Sequence, residues 1–173
     1  AQRNNKGFMA GFNAAQAIAA GYKKAADAGA ANNYSDKSYE DASKNLDSNS
    51  SDYQVYEAYK GAKDGFNNKS QEWDSNLAYK QAYQKALAQA QAQSEQGAKD
   101  YLQGLAKQST DSQYSNGYDN AKAGFAKFIS DYSFWYHNYP QSLNLPTNSN
   151  TAPGYQDGYE AARSAYSYLY GNT

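Results

Sequence analysis

The stretch Tyr114-Ser115-Asn116-Gly117-Tyr118-Asp119-Asn120-Ala121-Lys122-Ala123-Gly124-Phe125 decides the fold class. Its aromatic and small residues, Tyr114, Gly117, Tyr118, Ala121, Gly124 and Phe125, fall at offsets of 0, 3, 4, 7, 10 and 11. These offsets bring six side chains onto one face of a helix with 3.6 residues per turn. Tyr155, Gly158, Tyr159, Ala162, Ala165 and Tyr166 repeat the spacing, and Val55, Ala58, Tyr59, Ala62, Gly65 and Phe66 repeat it again. Less complete copies start at Phe8, Gly11, Phe12, Ala15 and Ile18, running on through Gly21, Tyr22 and Ala25. Others start at Ser38, Tyr39, Ala42 and Leu46, and at Tyr79, Ala82, Tyr83 and Ala86, the last continuing through Ala98, Tyr101 and Leu105. The copies are irregularly spaced, which argues against a solenoid of one fixed period.

Composition agrees with a folded chain that has an unusual core. A mean hydropathy of −1.02 points toward disorder, but the net charge is only −1 and aromatics make up 16% of the 173 residues, against the low-aromatic, high-charge signature of disordered segments. With 19 tyrosines and a single valine, the core is expected to be aromatic plus alanine. The length suits one helical domain over residues 1–173. The 16 basic and 17 acidic side chains are interspersed without a basic block, which makes nucleic acid and anionic lipid poor partners. No apolar run is long enough for membrane insertion. The chain starts at Ala1 rather than Met, and we expect a processed or excised piece of a longer protein.

Helices are expected near 5–30, 35–46, 52–66, 71–107, 111–137 and 153–170, an all-α irregular bundle of five to six helices with one long member at 71–107. Ser51 with Gln54, and Thr110 with Gln113, have capping-box spacing, and Ser35-Asp36 reads as a helix start. Asn and Ser clusters at 32–33, 47–51 and 67–70 supply turns.

Little catalytic chemistry is available, and the chain reads as a non-enzyme without cofactor or metal. It has no cysteine, and His137 is its only histidine, which excludes thiolate and multi-histidine metal sites and leaves no nucleophile elbow to accompany a triad. Asp47 to Asp52 resembles a calcium loop faintly but has no Gly at its sixth position and Ala58 at its twelfth. Glu72 and Asp74, like the adjacent Glu40 and Asp41, diverge on a helix rather than converge as a glycosidase pair.

One segment leaves the stripe. Asp131-Tyr132-Ser133-Phe134-Trp135-Tyr136-His137-Asn138-Tyr139-Pro140 ends a helix, because proline disfavours its continuation, and opens the longest loop. Consecutive positions diverge by about 100°, so Trp135, Tyr136, Tyr139 and Tyr132 cannot all point inward. Rings left in solvent beside Asn138, Gln141 and Asn144 suit stacking on a sugar while amides bond its hydroxyls; the other reading is a local aromatic cluster under the loop. The candidate ligand-binding residues are Trp135, Tyr136, His137, Tyr139 and Trp73.

The phrases Tyr114-x-x-Gly117-Tyr118-x-x-Ala121 and Tyr155-x-x-Gly158-Tyr159-x-x-Ala162 resemble Tyr-x-x-Gly-Tyr-x-x-Ala units in exported, adhesin-like surface proteins of lactobacilli and related Gram-positive bacteria. The resemblance implies an extracellular or cell-surface location and adhesion to a glycan or glycoprotein, host mucosal or bacterial cell-wall. It transfers no functional residue. The alternative expectation is a structural spacer or self-association module of such a protein. If stripe rings form the core, Tyr118→Ala and Tyr159→Ala each cost about 3–5 kcal/mol; thermal melts that match the parent refute this.

Overall fold

The computed structural model describes residues 6–30, 37–73, 76–138 and 146–170, apart from the side chains of Ser38, Trp135 and 168–170. Among the described residues the chain is all-α, with helices α1 (Lys6–Ala30), α2 (Lys37–Ser43), α3 (Ser51–Phe66), α4 (Leu77–Leu102), α5 (Ser112–Asn138) and α6 (Tyr155–Tyr170). Contacts group into two compact units, residues 1–90 and 91–173, and α4 contributes to both. The first unit buries Ala25, Ala58, Tyr59, Ala62, Ala78, Ala82 and Ala86 together. The second centres on Phe128, Tyr159 and Ala162. Both cores are aromatic plus alanine, as the composition requires.

What sets the spacing of these helices is glycine. A Cβ added to Gly97 of α4 would lie 2.0 Å from the carbonyl oxygen of Tyr114 in α5, and one added to Gly117 would lie 1.9 Å from that of Ser94. Between α5 and α6 the same reciprocal pair recurs: Gly124 against the Tyr155 carbonyl and Gly158 against that of Ala121. Gly61 of α3 faces the carbonyl of Tyr79 in α4, and Gly21 of α1 faces that of Val55 in α3. With only hydrogen on Cα, backbones meet directly, in the geometry of Cα–H···O contacts between helices. Flanking rings then fill the space beside each crossing.

Tyrosine hydroxyls lock two of these crossings in one pattern. The Tyr79 hydroxyl donates to Asp64 Oδ2 at 2.6 Å and accepts from the Glu72 backbone N–H at 3.0 Å. Tyr114 does the same with Asp100 Oδ2 (2.6 Å) and the Gln108 N–H (3.0 Å). One turn on, the hydroxyls of Tyr83 and Tyr118 donate to the carbonyls of Lys69 and Leu105. Those carbonyls follow matching helix ends, where Asn68 (φ 54°) and Gly104 (φ 75°) turn left-handed and Lys69 N–H and Leu105 N–H reach back to the carbonyls of Asp64 and Asp100. The chain thus builds one helix-loop-helix device twice.

Several expected boundaries change. The long helix spans 77–102 rather than 71–107, because the Asn76 side chain accepts from Tyr79 N–H and caps its start, while left-handed Gly104 ends it. The cap of α3 is Ser50, not Ser51: its hydroxyl accepts from Tyr53 N–H, and Gln54 donates to the Ser48 carbonyl instead of closing a box. Asp111, not Thr110, caps α5, accepting from the N–H groups of Gln113 and Tyr114; a carboxylate there also suits the helix dipole. Asp47 accepts from Asn49 N–H in a tight turn leading to the Ser50 cap. The proposed start at Ser35-Asp36 lies outside the described residues.

The stripe also has exceptions. Phe8 and Phe12 are 45% and 49% exposed, so the first half of α1 lies outside the core. In α2 the buried small residue is Ser43, whose hydroxyl donates to the Tyr39 carbonyl, and Ala42 faces solvent. Ala165 is exposed where Gly124, at the same offset in α5, is buried against α6. Tyr159 is fully buried, whereas Tyr118 is half-buried, which puts its truncation at or below the bottom of the range given above. Gly97→Ala is expected to lose about 1–3 kcal/mol by overpacking although alanine is the better helix former; an unchanged or raised urea midpoint contradicts the backbone contact.

Candidate functional site

The end of α5 is built as a ladder of rings. Fully buried Phe128 meets Tyr159 edge-on at 5.5 Å and stacks with Tyr132 at 6.2 Å, and Tyr132 lies 4.1 Å from Tyr166 across the α5–α6 contact. One turn further, Tyr136 is 5.9 Å from Tyr132 and 61% exposed. The period of α5 explains the gradient: positions 128, 132 and 136 continue one face past the point where α6 covers it. Phe134, off that face, is 59% exposed.

Polar groups around these rings are committed in part. His137 is exposed in the last turn of α5, where a positive charge is favourable, and its Nδ1 is 2.7 Å from the Ser133 carbonyl oxygen. Because a carbonyl can only accept, Nδ1 carries the proton and Nε2 is the acceptor of the neutral ring. The Tyr136 and His137 rings meet edge-on at 5.9 Å. Asn138 Nδ2 donates to the Phe134 carbonyl at 2.7 Å, so the amide proposed for a ligand hydroxyl serves first as a helix cap. Trp135 belongs to α5 but its side chain lies outside the described residues, as do Tyr139, Gln141 and Asn144 in full.

Trp73 is the most exposed ring described, at 106% relative accessibility. It sits in the loop before α4, next to Glu72, whose backbone N–H is held by the Tyr79 hydroxyl. The loop is therefore pinned one residue before the indole.

Of the carboxylates considered for catalysis, Glu40 and Asp41 are ion-paired. Asp41 bonds Lys44 and Lys37, which hold its carboxyl below the usual range, and Glu40 pairs with Lys63. Asp74 is outside the described residues. A shallow open groove of about 570 Å³ runs between α4 and α6, carrying Glu95, Lys99, Asp157 and Glu160, and among the described side chains no tryptophan lines it. Among the described residues no group of three or more His, Asp or Glu could hold a metal ion.

Reading the stripe alone overlooked Asp64, Asp100 and Asp131, the acceptors of the tyrosine hydroxyls. A signal was present. Gly61-Ala62-Lys63-Asp64 recurs as Gly97-Ala98-Lys99-Asp100, and each Asp is followed 15 or 14 residues later by the tyrosine it binds.

No protein-family model, curated protein or solved structure matches this chain.

The ladder has a pH signature. Burial, then the bond to Asp131, raises the Tyr159 phenol well above its ordinary value, and the hydrogen bond shared with Tyr166, then burial, pushes Tyr132 up to about 12. A group whose pKa is higher folded than unfolded stabilises fully below its unfolded value, about 10 for tyrosine, and that contribution disappears as pH rises through the folded value. Melting temperature is therefore expected to fall steeply above about pH 10. In Tyr132→Phe the same titration is expected to be shallower; an equal slope in both proteins contradicts the assignment.

Proposed function

We propose that this chain is a non-enzymatic module of an exported cell-surface protein that adheres to a glycan or glycoprotein through exposed aromatics. The observation that carries the reading is the contrast within α5, where rings are buried or half-buried as far as Tyr132 and then stand in solvent at Phe134 and Tyr136. Flat rings fixed at one edge by a packed ladder lose little freedom when a sugar face stacks on them, and His137 Nε2 lies beside them as a hydroxyl partner. Trp73, on its pinned loop, offers a second stacking surface. The likeness of the Tyr-x-x-Gly-Tyr-x-x-Ala phrases to lactobacillar surface proteins supports the location, extracellular or at the cell wall. No described helix is long and apolar enough to cross a membrane.

A spacer or self-association role is the second reading, favoured by the uncovered apolar side chains of Phe8, Met9 and Phe12 in α1. The adhesive reading is tested on a glycan array that includes mucin and cell-wall polymers. Binding is expected, with about a tenfold or greater loss in Trp135→Ala or Tyr136→Ala, the scale of a lost aromatic anchor. Failure to bind any of these polymers overturns the adhesive reading.

A further inference from the structure

Tyr132 of α5 and Tyr166 of α6 meet more closely than packing of two rings requires. Their centroids are 4.1 Å apart with the planes inclined at 41°, and the two hydroxyls share a hydrogen bond. Aromatic pairs held by packing alone stand about 4.5–7 Å apart. Tyrosine pairs at other helix contacts are set wider and edge-on: Tyr39 against Tyr59 at 5.2 Å and 87°, Tyr101 against Tyr118 at 5.4 Å and 78°. The Tyr118 hydroxyl is turned to the Leu105 carbonyl, not to its partner ring.

This geometry has a chemical counterpart. When two phenols are joined directly through the carbons beside their hydroxyls, the ring centres are separated by two ring radii and one carbon–carbon bond. The rings are then twisted out of a common plane, with their hydroxyls side by side. A 4.1 Å separation, a 41° inclination and hydroxyl-to-hydroxyl contact correspond to each of these features. With the oxygens together, the carbons beside them are brought toward each other, and those are the ring carbons on which a phenoxyl radical carries spin.

We propose that Tyr132 and Tyr166 form an oxidative cross-linking site, at which a peroxidase using hydrogen peroxide joins them as dityrosine and staples α6 to the end of α5. Each phenol loses one electron and one proton, and a carbon–carbon bond forms between the two resulting radicals. The hydrogens on the bonded carbons move to the oxygens and restore both hydroxyls. The two electrons and two protons released reduce one hydrogen peroxide to two waters. Both rings are half-buried, and Tyr136, 61% exposed and 5.9 Å from Tyr132, gives the oxidant an open ring through which an electron leaves the pair. The chain has no cysteine, so a disulfide is not available to tie its helices. The site is independent of glycan binding.

The test treats the full chain, at high dilution, with a haem peroxidase and hydrogen peroxide, beside Tyr132→Phe and Tyr166→Phe, which keep the rings. Trypsin cuts after Lys127 and Arg163, so the link joins peptides 128–163 and 164–173 into one species lighter than their sum by two hydrogens, and fragmentation locates it. This species is expected in the monomeric parent, in a yield unchanged on further dilution, and is expected to be lost from both variants. The linked chain is expected to unfold at a higher urea concentration, because a loop of 34 residues is then closed in the unfolded state. Dityrosine that maps to other pairs and persists in both variants, a link that forms only between copies, or no dityrosine in the folded parent overturns the proposal.

Discussion

Backbone-to-backbone contact at glycine is the constraint on which the rest of this structure depends. Where Gly97 and Gly117, or Gly124 and Gly158, face carbonyls across a crossing, no side chain separates the helices. The rings are displaced to the flanks, where Tyr79, Tyr83, Tyr114 and Tyr118 reach past the crossing to the end of the preceding helix. Had those crossings carried leucine, the helices would stand farther apart and the tyrosine hydroxyls would fall short of Asp64 and Asp100. The polar bonds are thus a consequence of the apolar geometry.

This ordering explains how a chain of such low hydropathy forms a core. Alanine and glycine contribute little apolar area each, and burial rests on rings that also carry a hydroxyl. A buried hydroxyl without a partner costs free energy, and here each locking tyrosine finds one: a carboxylate for Tyr79, Tyr114 and Tyr159, a loop carbonyl for Tyr83 and Tyr118. Burial, and then the bond to a carboxylate, makes the phenols of Tyr79, Tyr114 and Tyr159 hard to ionise, so a fold that uses neutral tyrosine as its main apolar building block is tied to pH below the phenol range.

Helix class and the stripe positions were legible because spacing alone places a side chain on a face. Helix ends were less so. Ser51 and Thr110 fit a capping box, but Ser50 and Asp111 hold the first turns, because adjacent residues of similar capping power differ only in which reaches the free N–H groups. Phe8 and Phe12 show the larger limit: periodicity says which residues share a face and nothing about whether a neighbour covers it. For the candidate site, the 100° step implied only that some of these rings leave the core; Tyr136 stays on the ladder's face and is exposed because α6 no longer covers it, and the ladder beneath it depends on Tyr159 and Tyr166, a partner helix that a local pattern cannot assign. The paired Gly-Ala-Lys-Asp phrases lay in plain view, but they acquire meaning only when the next helix brings tyrosine back to them.

The two copies of the locking device also show where this architecture leaves a side chain unconstrained. In each, the tyrosine hydroxyl fixes one backbone N–H of the connecting loop, that of Glu72 in the first and of Gln108 in the second. The following residue is outside the bond and free to differ. It is Trp73 in one and Ser109 in the other. A residue whose own backbone carries no duty in the clamp, yet whose neighbour is held, can change side chain without loosening the helices and still be presented in a defined place. Trp73 stands fully in solvent at such a position, and its indole takes no part in the clamp. The exposed end of α5 follows the same logic: Tyr136 is held from beneath by Tyr132 while its outer face remains open. In both places the repeat supplies the support, and the ring just beyond it is left uncovered.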